Sequence, residues 1–202
     1  MLEEFNLNLF NMINATPDTA EGTLALAIFI AKRLILIFPI IVAACWLWGA
    51  TNNMPQQRTY VCKTAIALIV GLTISGLIGA IAPHDRPFMM GIGTNFLDHS
   101  PTPSFPSNHG TLVFTFAFAA LFWLRKWFGL ILFIPAIAIA WSRIFLGVHW
   151  PLDMIGGFIL AIIACGITQI LWMVIGTYVL PKLIKIYRLI FAPLIRKGWV
   201  QE

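Results

Sequence analysis

Long apolar runs divide this chain into segments that are each long enough to cross a lipid bilayer. A helix needs about 20 apolar residues to span the hydrocarbon core. The runs cover about residues 24–48, 61–82, 109–124, 128–146 and 151–176, and polar stretches rich in proline, glycine and charged residues separate them. The pattern predicts an all-α polytopic membrane helical bundle of about five transmembrane helices, with a sixth as the alternative.

The composition agrees with a membrane location. Of the 202 residues, 59% are hydrophobic and only 10% are charged, whereas soluble domains carry about 25% charged residues. The net charge of +5 does not predict a nucleic-acid partner, because the basic residues cluster at helix ends, as membrane topology requires. The cysteines Cys45, Cys62 and Cys165 show no metal-ligand spacing. We therefore expect no metal and no other cofactor.

Both ends of the chain predict helices that lie on the membrane surface. Residues 1–20 are polar and mildly acidic, with Phe5, Leu9 and Ile13 at roughly helical spacing. The tail beyond residue 176 is basic, and its lysines and arginine at 182, 185 and 188 recur every three residues. This spacing favours a helix on an anionic leaflet over a sixth span. Residues 1–202 are predicted to form a single domain.

The distribution of basic residues predicts the orientation. With five spans, one face of the membrane receives Arg58, Lys63, Arg125, Lys126 and the basic tail. Cytoplasmic loops carry the excess of lysine and arginine, so the N-terminus is predicted outside and the C-terminus in the cytoplasm. All 4 histidines, at positions 84, 99, 109 and 149, then fall on the outer face. Histidines from distant segments can therefore meet there.

Three fragments carry the ionisable groups of that outer face: HDRP (84–87), PSNH (106–109) and SRIFLGVHWPLD (142–153). The guanidinium groups of Arg86 and Arg143 suit phosphate oxygens. Ser107 is a natural N-cap, and the free amides of Asn108 and its successors at a helix start form an anion site.

The same fragments contain groups for proton transfer. Asp153 follows His149 by four residues, so its carboxylate can hold the imidazole in one tautomer. His149 can then act as a nucleophile or base, and His109 as an acid. The cluster predicts phosphoryl transfer without a metal.

Each residue also has a simpler interpretation. Ser107 and Asn108 can be ordinary helix caps, and Asp153 behind Pro151 can be another. His149 beside a tryptophan can be an interfacial anchor, and an arginine can extend its head to the lipid surface. Taken together these alternatives weaken, because ionisable groups are costly near a membrane and tend to mark function.

The three fragments resemble the signatures of the type 2 phosphatidic acid phosphatase superfamily. SRIFLGVHWPLD fits S-R-x5-H-x3-D, PSFPSNH fits P-S-x-P-S-x-H, and DRP fits the end of K-x6-R-P. INATPD, APHDRPF, AWSRIFLGVHWPLDMIGG and IRKGWV are also similar to the bacitracin-resistance type of undecaprenyl-diphosphatase, over nearly the whole chain.

The resemblance implies a role for each matching residue. His149 would attack the terminal phosphorus and form a phosphohistidine, and Asp153 would orient it. His109 would protonate the leaving oxygen and then activate water. The phosphate oxygens would be held by Arg86, Ser107 and Arg143, with the amide of Asn108 contributing.

The match departs from the family at two positions. The lysine expected seven residues before Arg86 is replaced by Gly79, and Asn108 stands where the family often has glycine. An unpaired charge within a span costs about 2.5–3.5 kcal/mol by insertion scales, so Lys32 in the first span should have a partner. We hypothesise that Lys32 or His84 supplies part of the missing positive charge. The alternative is that Lys32 extends to the lipid head groups.

Taken with the resemblance, the sequence predicts an inner-membrane enzyme with its site facing the periplasm. Its partners would be membrane lipids and its substrate undecaprenyl diphosphate, and recycling this cell-wall carrier would confer bacitracin resistance. Two alternatives use the same histidines: a phosphatidylglycerophosphate phosphatase and a phosphotransferase to lipid A. A further alternative is a non-catalytic binder of polyprenyl phosphates.

Overall fold

The computed structural model describes residues 1–49 and 53–202, and all regular secondary structure in these ranges is helical. The all-α prediction is therefore confirmed. In chain order the helices are α1 (Leu2–Ile13), α2 (Glu21–Lys32), α3 (Ile37–Leu47), α4 (Met54–Ile81), α5 (Asn108–Trp123), α6 (Lys126–Phe145) and α7 (Pro151–Arg196).

Helix α5 is the centre of the bundle. It packs against α4, α6 and α7, and nearly every side chain between Gly110 and Ala120 is buried. A helix that is apolar on all sides belongs in a core. Phe118 makes edge-to-face contacts with Phe133 of α6 and Phe158 of α7, with ring centroids 4.9 and 5.0 Å away. The residues at the start of α5 are therefore held on a rigid element.

The protein crosses the membrane several times. Among the residues described, four helical segments are long and apolar enough to span a membrane: Glu21–Leu47, Met54–Ile81, Lys126–Phe145 and Pro151–Arg196. Helix α5 has only 16 residues and rises about 24 Å, less than the thickness of about 30 Å that lipid-facing spans must cross. Because its neighbours shield it, α5 does not need a full span.

Three boundaries differ from the sequence-based expectation. The first span is interrupted by a 3₁₀ turn at Leu34–Leu36. The second span is predicted to begin at about residue 61, but helix α4 already begins at Met54. Residues 50–52, in the polar stretch before it, lie outside the described residues. The basic tail is the continuation of α7 to Arg196, with Pro181 and Pro193 inside the helix, and not a separate helix.

The two ends of the bundle differ in charge and in contacts. At one end Gln56 Nε2 donates to the carbonyl of Leu124, which joins the starts of α4 and α6. Arg58 is buried there, with its guanidinium 5.4 Å from the ring centroid of Trp46 and 4.8 Å from that of Tyr187. Arg58, Arg125 and Lys126, which the charge pattern predicts to face the cytoplasm, lie at this end, which we call the basic end.

The opposite end joins the starts of α5 and α7. A Cβ at Gly157 would lie 2.7 Å from the backbone nitrogen of Thr111, so only glycine allows α7 to approach α5 this closely. As a result the amide of Ser107 donates to the carbonyl of Asp153 at 3.1 Å. This contact places two of the predicted motifs side by side.

Helix α1 and the α6–α7 corner complete this end. Asn6 Oδ1 accepts a hydrogen bond from the amide of Leu152 in the first turn of α7. The Asn14 amide group donates to the carbonyls of Thr94 and Phe145, both at 3.0 Å. Gly147 has φ of 77°, and a Cβ there would lie 2.2 Å from the Thr94 carbonyl oxygen. The corner therefore requires glycine, and α1 fixes it against the 83–107 segment.

Candidate active site

His149 lies at the centre of the outer cluster. It occupies the corner between α6 and α7 and is only 2% exposed, so the interpretation as an interfacial anchor is wrong. Burial, with further contributions from Arg86 and Arg143, lowers the pKa of His149 well below its ordinary value of 6.5. The imidazole is therefore neutral near pH 7, as a nucleophile must be.

Asp153 is both a helix cap and the partner of His149. Its Oδ2 accepts hydrogen bonds from the amide of Trp150 at 2.8 Å and from His149 Nδ1 at 3.0 Å. The functional and capping interpretations are therefore compatible. Because Nδ1 donates to a carboxylate, the lone pair of the neutral ring is on Nε2.

Two donors point at that lone pair. Arg86 Nη1 lies 3.0 Å from His149 Nε2, and Ser107 Oγ lies 3.3 Å from it. Both groups can move their hydrogen bonds from the ring to an incoming phosphate oxygen. The predicted nucleophilic atom therefore lies among the predicted phosphate-binding groups.

The two arginines have different environments. Arg86 is 4% exposed and donates to the carbonyls of Thr102, Pro103 and Val148 at 2.8, 3.2 and 2.8 Å. It does not extend to the lipid surface. Arg143 is 3% exposed, and its Nε and Nη2 atoms have no hydrogen-bond partner among the residues that the structure describes.

An unpaired buried charge is costly, so the free donors of Arg143 indicate where an anionic ligand belongs. Arg86 instead organises the 102–103 segment around His149.

The start of α5 contributes the predicted cap and the second histidine. Ser107 Oγ accepts a hydrogen bond from the amide of Gly110 at 3.2 Å, which confirms the N-cap prediction. His109 is partly buried and interacts electrostatically with Arg143, His149 and His99. The two histidines to which the resemblance gives catalytic roles therefore lie within electrostatic range of each other.

The remaining candidates lie outside this cluster or at its edge. Asn108 is exposed, and its Oδ1 accepts a hydrogen bond from Ser75 at 2.8 Å. Lys32 is exposed in the last turn of α2, and the structure does not bring it into hydrogen-bond contact with the cluster. His84 is bound through Nδ1 to Ser104 Oγ at 3.1 Å, and Ser104 Oγ in turn lies 3.3 Å from Asp153 Oδ1.

Sequence reasoning missed two residues of the site. The ring of His99 lies edge-to-face with that of His149, with centroids 6.2 Å apart. Burial lowers the pKa of His99, and the positive charges of Arg86 and Arg143 lower it further. Ser104 is fully buried, and its Oγ lies 3.3 Å from Asp153 Oδ1. Both lie in the irregular 83–107 segment, where no periodicity relates position to direction.

The arrangement can perform phosphoryl transfer. It provides a neutral imidazole with its lone pair directed at two phosphate-binding donors, a carboxylate that fixes its tautomer, and a second imidazole for proton transfer. The described residues include no cluster of three or more histidine, cysteine or carboxylate side chains suited to a metal ion.

Comparisons with known proteins point the same way. The chain is 52% identical over 202 residues to "Putative undecaprenyl-diphosphatase YbjG" of Escherichia coli (strain K12), covering 100% of both chains. It is 32% identical over 158 residues to "Undecaprenyl-diphosphatase BcrC" of Bacillus subtilis (strain 168), covering 78% of this chain and 79% of that protein.

A solved structure and a family model identify the fold and the family. The crystal structure of Aquifex aeolicus LpxE matches with a TM-score of 0.66 and 23% identity, covering 82% of this chain and 94% of that chain. Residues 60–175, which contain all three signature fragments, match the model of the PAP2 superfamily. The chain therefore belongs to the PAP2 superfamily and is a multi-pass membrane phosphatase that acts on lipids.

Proposed function

We propose that this protein hydrolyses undecaprenyl diphosphate to undecaprenyl phosphate and inorganic phosphate. The observation that carries the proposal is the buried His149, whose Nε2 lone pair lies beside Arg86 and Ser107. The names of the two relatives supply the lipid diphosphate as the substrate class. The whole chain, residues 1–202, forms one catalytic unit.

The reaction proceeds in two steps. In the first, His149 Nε2 attacks the terminal phosphorus, an N–P bond forms, and the P–O bond to the lipid monophosphate breaks. His109 gives a proton to the leaving oxygen. In the second step His109 accepts a proton from water, the hydroxide attacks phosphorus, and the N–P bond breaks to regenerate His149.

Asp153 stabilises the phosphorylated ring. The N-phosphorylated imidazole keeps its proton on Nδ1 and is positively charged. The Asp153 carboxylate, which is buried and lies 3.0 Å from Nδ1, offsets this charge.

The unpaired donors of Arg143 bind the terminal phosphate. Without substrate the buried cluster contains two guanidinium charges and one carboxylate, so a further proton on His109 is disfavoured. A bound phosphate anion reverses this balance and favours the protonated imidazole. His109 therefore becomes an acid when the substrate arrives, which predicts a bell-shaped dependence of rate on pH.

The location follows from the charge distribution. The basic end places Arg58, Lys63 and the basic tail opposite the site, and such residues favour the cytoplasm. The site then faces the periplasm of the inner membrane, with the C-terminus in the cytoplasm. Recycling the carrier lipid there supports cell-wall synthesis and raises resistance to bacitracin.

The test is a comparison of lipid substrates with purified protein in detergent. Phosphate release is measured from undecaprenyl diphosphate, undecaprenyl phosphate and phosphatidylglycerophosphate, for the wild type and His149→Ala. We expect the diphosphate to give the highest kcat/KM, and the variant to lose several orders of magnitude. A preference for phosphatidylglycerophosphate, or transfer of phosphate to lipid A, would contradict the substrate assignment.

A second measurement tests the covalent step. Substrate labelled in its terminal phosphate is mixed with protein, and the reaction is stopped with base, which preserves phosphohistidine. Label should remain on the wild type and be absent from His149→Ala. Full activity of His149→Ala would leave only a role in lipid binding for this residue.

A further inference from the structure

The Asp153 carboxylate has a second attachment on the side away from His149. Ser104 Oγ lies 3.3 Å from Asp153 Oδ1, whereas His149 and Trp150 use Oδ2. Ser104 Oγ also lies 3.1 Å from His84 Nδ1. A chain of hydrogen bonds therefore leads from the buried His149–Asp153 pair to His84, whose side chain is 36% exposed.

The outer end of this chain opens into a cavity whose lining does not include Arg143. A cavity of about 380 Å³ lies between α1 and the chain of hydrogen bonds, and Glu3, Asn6, His84 and Asp153 are among its lining residues. His84 Nε2 is 3.9 Å from the Glu3 carboxylate. His84 can therefore exchange protons without displacing a phosphate.

The state of His84 decides where the Ser104 proton goes. The hydroxyl has one hydrogen, which can be donated to Asp153, to the Asp85 carbonyl at 3.4 Å, or to an unprotonated His84 Nδ1. An imidazolium donates from both nitrogens. Once His84 is protonated, Ser104 must accept from it, and its own hydrogen is available to the Asp153 carboxylate.

We propose that Ser104 and His84 form a positioning arm that orients Asp153 and keeps a second proton off the His149–Asp153 pair as the pH falls. The proposal rests on the proposed function, because it concerns the pH range in which His149 can act as a nucleophile. An imidazole ring can carry a proton on one nitrogen or on both, which suits this role.

Two physical effects act in the same direction. A hydroxyl that donates to a carboxylate stabilises its ionised form, and a positive charge nearby opposes the addition of a proton to the pair. Other charged groups face the arm: Glu3 and Glu4 from α1, and Asp85 and Arg86 from the 83–107 segment. Arg86 opposes the addition of a second proton to the pair.

The expected signature is a shift of the acid limb of the pH profile. Ser104→Ala removes the donor, so the midpoint of the acid limb of kcat should move up by about 0.5–1 pH unit. At the pH optimum kcat should fall about three- to tenfold and KM should stay within about twofold, because the arm does not contact phosphate. The backbone bond from Ser104 N to the His84 carbonyl at 2.8 Å is retained in this variant.

The test measures phosphate release from undecaprenyl diphosphate between pH 4.5 and 9. It compares the wild type with Ser104→Ala, His84→Ala and the double variant, and Ser100→Ala is the matched control. Ser100 is exposed in the same segment. Its contact with His99 Nδ1 is made by the backbone carbonyl, so replacing the hydroxyl leaves this contact in place. His84 is half-exposed, so His84→Ala tests the arm even if the buried Ser104 substitution fails to fold.

The proposal requires that both single variants shift the acid limb upward, that the control does not, and that the double variant resembles Ser104→Ala. An acid limb of His84→Ala at the same pH as in the wild type would overturn the proposal. A shift in the double variant equal to the sum of the two single shifts would also overturn it, because His84 would then act independently of Ser104. A wild type no more active than His149→Ala would instead overturn the proposed function.

Discussion

Replacing Asp153 with asparagine separates the charge of this residue from its hydrogen-bond geometry. Both N–H donors on its inner side, Trp150 N and His149 Nδ1, converge on Oδ2 at 2.8 and 3.0 Å. The Trp150 donor is backbone and cannot become an acceptor. The asparagine oxygen should therefore occupy the Oδ2 position, and its NH₂ group should donate to Ser104 Oγ. The tautomer of His149 is then preserved, and only the negative charge is lost.

The magnitude follows from that charge. Two unit charges about 4 Å apart interact by about 4 kcal/mol at an effective dielectric constant of 20. Losing about 3–4 kcal/mol from the phosphorylated, positively charged His149 should lower kcat by roughly 10²- to 10³-fold. Where asparagine also reverses the tautomer of a catalytic histidine, the loss is about 10⁴-fold. KM should change little, because Asp153 does not contact phosphate.

The assay is phosphate release from undecaprenyl diphosphate by purified Asp153→Asn, with thermal unfolding to confirm folding. Asp18→Asn is the matched control, since Asp18 is exposed in the turn between α1 and α2. A loss below tenfold would show that the charge is dispensable. A loss above 10⁴-fold would show that the tautomer changed, which would refute the argument from the shared Oδ2.

Three further predictions test other parts of the structure. Arg143→Gln should raise KM about 10- to 100-fold, because a charge-assisted hydrogen bond contributes about 1.5–3 kcal/mol, without lowering the unfolding temperature; an unchanged KM would contradict the assignment of its free donors. Deleting residues 199–202 removes the hydrogen bond from Trp48 Nε1 to the Trp199 carbonyl and those from Arg58 and Tyr187 to the Gln201 carbonyl. The free energy of unfolding should therefore fall by about 2–4 kcal/mol, while kcat should stay within about twofold of the wild type. Because burial lowers the pKa of His149, the acid limb of the pH profile of kcat/KM should have its midpoint below pH 6.5, and a midpoint above pH 6.5 would contradict this. The free energy of unfolding should also decrease as the pH falls below about 6.5, because there His149 binds a proton in the unfolded chain but not in the folded one.

The motif residues could be predicted because their geometry is local. His149 and Asp153 are four residues apart across a helix start, so the first turn of α7 alone brings their side chains together. Ser107 caps α5 for the same reason, since an N-cap is determined by its own turn. The apolar runs predicted the bundle, because only a helix can satisfy its backbone within lipid.

The contrast between Arg86 and Arg143 could not be predicted. The same side chain with the same formal charge is fully hydrogen-bonded at one position and has free donors at the other. The difference depends on where the carbonyls of the 102–103 segment and of Val148 lie, and this is decided by packing against α1 and the α6–α7 corner. The same segment determines the directions of His99 and Ser104.

The sequence by itself determined the helical bundle, its signature residues and the end of the bundle at which they meet, because hydrophobicity, helix caps and four-residue spacings act within one or two turns. Only the tertiary structure decided that α7 continues through the basic tail, that Lys32 lies outside the cluster and that His84 faces Asp153. These outcomes depend on contacts between residues that are 20 to 151 positions apart, such as His84 with Ser104 and Trp48 with Trp199. Such contacts form only when the whole bundle has packed, so no local pattern records them.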